Sequence, residues 1–120
     1  MKILMVGTGG VGEAAAVIAS QRDPKGEWLD LMVLSDYNLE RAQEVSKRIS
    51  DARFPAEKVN ARNKDEVIAL IKKYDVDLLF NACDPSFNEN LFDAAYEAGV
   101  NYTDMALTLS VPHPTDPYHK

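Results

Sequence analysis

Gly7, Gly9 and Gly12 stand in the stretch Gly7-Thr8-Gly9-Gly10-Val11-Gly12, directly after the apolar run Lys2-Ile3-Leu4-Met5-Val6 and directly before an alanine-rich segment with no early proline. The chemistry that such spacing suits is the seating of a pyrophosphate. That group is bulky and doubly charged, so the chain must approach it closely and present N–H groups that no helix hydrogen bond has taken. Gly7 is expected to turn the chain out of a strand, Gly9 to clear space for the phosphates, and Gly12 to let a helix pack tightly on a sheet, with Thr8, Gly10 and Val11 completing the turn. A second apolar run, Leu31-Met32-Val33-Leu34-Ser35, ends in Asp36. At the end of a strand that carboxylate can accept hydrogen bonds from the ribose hydroxyls of an adenosine and repel a 2′-phosphate, which favours NAD over NADP. Arg41 is of a type that accommodates a 2′-phosphate, but it reads as a solvated helix residue.

These residues act together only if the chain brings them to one edge of a sheet. Strand-like and helix-like segments alternate along it, as in βαβ units with a parallel sheet. After the glycine turn, Val11, Ala14, Ala15, Ile18 and Ala19 recur at helical spacing and predict a small-residue face, ending near Arg22 ahead of Pro24 and Gly26. Residues 21–30 read as a surface loop, with Trp28 packed over the sheet edge. A second helix over 39–50 is predicted to take Asn38 as N-cap and to bury Leu39, Ala42, Val45 and Ile49. Lys58-Val59-Asn60-Ala61 reads as a short third strand. Asn63 or Asp65 then caps a helix that carries Val67, Leu70, Ile71 and Tyr74 on one side.

Asp77-Leu78-Leu79-Phe80-Asn81 is apolar enough for a central strand. A fourth helix over 86–98, capped by Ser86, is expected to bury Phe87, Leu91, Ala94, Ala95 and Ala98 and to end at Gly99, ahead of a fifth strand over 100–104. The predicted fold is α/β: a Rossmann-type, doubly wound parallel sheet of order 3-2-1-4-5 in three α/β/α layers. Ligands bind such sheets where the strand order reverses, so the glycine turn and Asn81-Ala82-Cys83-Asp84-Pro85 are expected to meet in one crevice. Asn81, Ala82 and Cys83 are placed over the nicotinamide half of the dinucleotide, and Tyr37, next to Asp36, is counted among the cofactor-binding residues. Asn60, Ala61, Arg62 and Asn63 either flank the adenine or form a plain strand-to-helix turn.

The 120 residues make one domain by ordinary size, and a net charge of −6, from 13 Lys plus Arg against 19 Asp plus Glu, argues against nucleic-acid or anionic-membrane partners. Cys83 is the one cysteine, so no internal disulfide or zinc cluster is expected, and a soluble, cytoplasmic protein with no bound metal is predicted. No histidine lies near Cys83 in sequence, because His113 and His119 fall in a proline-rich stretch, so a packing role is assigned to it.

Three segments together resemble the saccharopine dehydrogenase-like family of oxidoreductases: KILMVGTGGVG, LSDYNLERAQEVSKRI and LLFNACDPSFNENLFDAAYEAGVNYTDMA. The most specific part is Glu97-Ala98-Gly99-Val100-Asn101-Tyr102-Thr103-Asp104, with the loop of Asn81 and a small residue before it. The resemblance implies a dinucleotide-binding domain over 1–106, an irregular tail over 107–120, and a substrate-binding, oligomerising domain beyond, giving a homodimer. It further implies hydride transfer at a carbon–nitrogen bond of an amino-acid- or polyamine-derived substrate, with the 120 residues inactive alone. Tyr37 stands where NADP-preferring relatives often carry a basic residue, which again points to NAD. A nucleotide-sensing regulatory domain of the RCK type shares the glycine turn and the acid and is the alternative reading.

Overall fold

A computed structural model describes residues 1–104 of the chain. Five strands, β1 (Lys2–Val6), β2 (Leu31–Asp36), β3 (Ala56–Lys58), β4 (Leu78–Asn81) and β5 (Asn101–Asp104), form one parallel sheet of order β3-β2-β1-β4-β5. Helices α1 (Gly10–Arg22), α2 (Leu39–Ile49), α3 (Lys64–Tyr74) and α4 (Asn88–Ala98) connect them. Alternate residues of β1 face opposite layers: Leu4 and Val6 pack with Val67, Ile71, Leu91 and Ala95 of α3 and α4, while Ile3 and Met5 pack with Ala16, Ala19 and Val45 of α1 and α2. A central strand buried on both sides must be apolar throughout, which explains the unbroken run at β1. The order and layering are those expected from the sequence. They bring the ends of β1, β2 and β4 to one edge.

Four local expectations need correction. Helix α1 buries Gly12, Ala16 and Ala19, while Val11 and Ile18 are about half exposed, at 50% and 51%. The reason is steric: a Cβ on Gly12 would stand 2.1 Å from the Gly7 carbonyl oxygen, so the helix meets the sheet along its smallest residues and turns its larger ones outward. Trp28 is 48% exposed and does not pack as core; buried Leu29 fills that place. Strand β3 lies earlier than expected, at Ala56–Lys58, because the Asn60 carboxamide accepts the Arg62 N–H at 3.0 Å and turns the chain off the sheet. Val59 and Ala61 are nonetheless buried. Finally, α4 begins at Asn88 after a single 3₁₀ turn over Pro85–Phe87, and the capping side chain is that of Asp84, which accepts the Ser86 N–H at 2.9 Å, rather than that of Ser86. Phe87 and Ala98 are half-buried at the edge of the core.

The remaining helix ends follow the sequence. Asn38 caps α2 and Asn63 caps α3 through their side-chain oxygens, and Gly99 ends α4 at φ 75°, a left-handed conformation that favours glycine. No helix among the described residues is long and apolar enough to cross a membrane.

Candidate functional site

The first turn owes its shape to Gly7. Its φ of 102° is strained for any side chain, and an added Cβ would sit 2.9 Å from the Ala82 carbonyl oxygen and 3.0 Å from the Cys83 Sγ. The β1 turn and the β4 loop are therefore in direct contact, a closeness sealed by the Ala82 N–H donating to the Val6 carbonyl at 2.9 Å. Gly9 is different. It caps α1 with no side chain, and a Cβ there would meet no neighbouring atom of the described residues within 4 Å; the same holds for Gly10. Nothing among the described residues demands glycine at Gly9, whereas a ligand lying against the N–H groups of the helix's first turn would.

Charged groups brace this turn from the α2 side. The Asp36 Oδ2 accepts both the Thr8 N–H, at 2.8 Å, and the Thr8 hydroxyl, at 2.9 Å, while Oδ1 accepts the Asn38 N–H at 2.9 Å. Arg41 is not the solvated residue expected. Its Nε donates to the Thr8 carbonyl at 2.8 Å, and its terminal nitrogen binds Glu13 at 2.9 Å. The hydrogen bond to Glu13 also raises the guanidinium pKa. Arg48 holds the other oxygen of Glu13 at 2.6 Å.

The β4 side is braced by neutral groups. Asn81 is 1% exposed and turned away from the crevice. Its Nδ2 donates to Asn88 Oδ1 at 2.7 Å and to the Tyr102 hydroxyl at 3.1 Å, and its Oδ1 accepts the Cys83 N–H at 2.8 Å. Tyr102 in turn donates to Asp104 at 2.9 Å. Burial, with Asp104 beside it, pushes the Tyr102 hydroxyl up to about 12. The Cys83 thiol donates to the Val6 carbonyl at 3.3 Å, and burial, then the Asp36 and Asp84 carboxylates, push its pKa up to about 11. A thiol so poor in thiolate suits packing rather than nucleophilic attack. No cluster of three or more potential ligand residues among the described residues could hold a metal ion.

Between these braces lies a cleft of about 590 Å³. It brings together Gly7, Gly9, Asp36, Tyr37, Ala61, Ala82 and Cys83 from the expected set. Thr8 is buried beneath it against Asp36, Gly12 is buried under the turn, and Asn81 is in the network behind it. Gly10 and Val11 are exposed on the first turn of α1. Arg62 and Phe87 also line the cleft, with the guanidinium carbon 5.2 Å from the ring centroid. The sequence carried no signal for that pairing, because a turn arginine and a helix-face phenylalanine are unremarkable until the fold joins them. His113 and His119 lie outside the described residues.

A parallel sheet of this order, with a glycine turn leaving β1 and an acid closing β2, defines a dinucleotide-binding α/β domain. Within that class the family described as the saccharopine dehydrogenase NADP binding domain matches residues 3–119, and the chain belongs to it. Carboxynorspermidine synthase of Vibrio alginolyticus is 29% identical over 119 residues, covering 92% of this chain and 28% of that protein. Carboxyaminopropylagmatine dehydrogenase of a Synechocystis species is 28% identical over 105 residues, covering 88% of this chain and 25% of that protein. Among solved structures, saccharopine dehydrogenase (L-Glu forming) from Saccharomyces cerevisiae superposes with a TM-score of 0.72 at 13% identity, over 91% of this chain and 22% of that one. The likeness to that structure supports the fold. The chain spans about a quarter of the length of the curated relatives it matches, at 28% and 25%.

Proposed function

We propose that these residues hold a nicotinamide dinucleotide for an oxidoreductase that acts at a carbon–nitrogen bond of an amino-acid- or polyamine-derived substrate. The observation that carries the cofactor half is Gly9: its Cβ direction is open, it lines the cleft, and it is the N-cap residue of α1. The pyrophosphate would be held by the backbone of Gly9, Gly10 and Val11, and the adenosine by Asp36, Tyr37 and Ala61, with Ala82 and Cys83 passing over it. When bound, the nicotinamide supplies hydride exchange with a carbon that bears nitrogen. This chain's part is to seat the cofactor through backbone donors and to close the cleft's floor with Val6, Val59 and Ala61. The substrate half rests on the family and on two relatives whose names describe carboxylated polyamine-type compounds.

Asp36 does not by itself decide between NAD and NADP, because three donors of the turn and of α2 already engage it. Family membership also favours the dehydrogenase reading over a nucleotide-sensing regulatory domain. The test is a titration of the chain with reduced cofactor, following nicotinamide fluorescence. Saturable binding with no turnover of amine substrates by these residues alone is expected; no saturation up to millimolar cofactor would overturn the reading.

A further inference from the structure

We propose that Arg62 receives the 2′-phosphate of NADP and so sets the cofactor range of this site, an inference that rests on the dinucleotide reading above. A phosphomonoester carries close to two negative charges at neutral pH and needs a cation within reach. Among the described residues, Arg62 is the one lysine or arginine that lines the cleft, which otherwise carries the carboxylates of Asp36 and Asp84.

Arg41, the candidate suggested by sequence, is engaged elsewhere. Its guanidinium is fixed on the Thr8 carbonyl and on Glu13, with Glu44 at 3.6 Å, so a phosphate would have to displace an acid that Arg48 also holds. Arg62 has no carboxylate partner among the described residues. Its backbone is set by the Asn60 side chain at 3.0 Å, and its guanidinium lies over Phe87. Among the described residues no acceptor takes a hydrogen bond from this guanidinium, and its N–H fork is what matches a phosphate bidentately. Asp36 keeps its negative charge in the same cleft while its oxygens accept from Thr8 and Asn38, so a 2′-phosphate there needs the Arg62 guanidinium to offset that charge. Lys58, whose Nζ sits 5.7 Å from the centroid of the cleft-lining Tyr37 ring, does not itself line the cleft.

The experiment is calorimetric titration of the chain with adenosine 2′,5′-bisphosphate and 5′-AMP, which differ only in the 2′-phosphate, and with NADPH and NADH. Wild type should prefer the bisphosphate by about tenfold or more, and Arg62→Ala should bring the ratio within about twofold, mainly by losing bisphosphate affinity. Arg62→Lys, which keeps the charge without the fork, should retain part of the preference. Lys58→Ala should leave it in place. A ratio unchanged in Arg62→Ala, a preference lost in Lys58→Ala instead, or equal losses of both ligands overturns the assignment, the last by moving Arg62 to the adenine ring. Wild type that binds 5′-AMP and NADH but neither 2′-phosphorylated ligand overturns this inference alone. Wild type that binds none of the four removes the dinucleotide reading and this one with it.

Discussion

The two sides of the cleft are held by opposite means. On the α1 and α2 side, glycines bring backbone to within contact of backbone, and the charged groups Asp36, Arg41 and Glu13 fasten the turn. On the β4 and β5 side, neutral carboxamides and a phenol, Asn81, Asn88 and Tyr102, form a buried network that reaches a carboxylate only at Asp104. The difference follows from what each side must offer. A turn proposed to present backbone N–H groups to an anion has to be anchored from behind by its carbonyl and side chains, and partly buried charged groups do this here. The β4 loop must only be kept in place, and a satisfied neutral network does so without importing a buried charge.

The largest effect that would test this division separates two glycines of one turn. Gly12→Ala places a Cβ 2.1 Å from the Gly7 carbonyl oxygen, so α1 must lift from the sheet. A loss of about 3 kcal/mol of stability and of cofactor binding is expected, read in thermal or urea unfolding. Gly9→Ala meets no neighbouring atom of the described residues, so its melting transition should match wild type while cofactor affinity falls at least about tenfold. Equal stability losses in the two variants would break the assignment of Gly12 to packing and Gly9 to the ligand.

Next in size is the neutral side. Asn81→Ala strips partners from the Cys83 N–H, Asn88 and Tyr102 at once, and about 2 kcal/mol of destabilisation is expected. Tyr102→Phe removes one hydroxyl and should lose about 1 kcal/mol. Urea midpoints measured in low and high salt sharpen the comparison, because these losses should be insensitive to salt. On the charged side, Asp36→Ala should weaken NADH and NADPH together, by about tenfold each, since it frees the Thr8 N–H and hydroxyl that shape the turn. A loss confined to NADH would instead assign Asp36 to the ribose alone.

Much of this was legible because some positions admit one residue type for a backbone reason. Gly7 and Gly12 announce themselves through close approach, and the unbroken apolar runs of β1 and β4 announce a doubly covered sheet. The strand order followed from handedness. The parts that escaped depend on partners distant in sequence. Asn81 and Tyr102 both stood in a motif, but their hydrogen bond needs β4 and β5 side by side, and Arg41 seemed solvated until α2 was packed against Thr8. On α1 the hydrophobic spacing points to Ala19, which is buried, but also to Val11 and Ile18, which close packing turns outward in favour of Gly12 and Ala16. At β3, alternation of Val59 and Ala61 imitated a strand, yet their burial comes from the cleft floor beyond its end.

The smallest effect concerns Cys83, which lies where the two sides touch. Its thiol is pushed up to about 11 by burial and then by the carboxylates of Asp36 and Asp84, so the folded protein favours the neutral form. At about pH 8 its reaction with a disulfide reagent should run about two orders of magnitude slower than that of an unstructured cysteine, for which the pKa is about 8.5, and should reach the ordinary rate in denaturing urea. The sign of the linked stability follows. A thiol with a raised folded pKa contributes stability that is complete below about pH 8.5 and is lost as pH rises through about 11, because the unfolded chain releases its proton first. Cys83→Ala should flatten that alkaline decline in urea midpoint while leaving the acid side unchanged. A wild-type rate matching a free thiol would mean that the β4 loop stands away from Gly7, and the two sides would then no longer share the contact that closes the cleft.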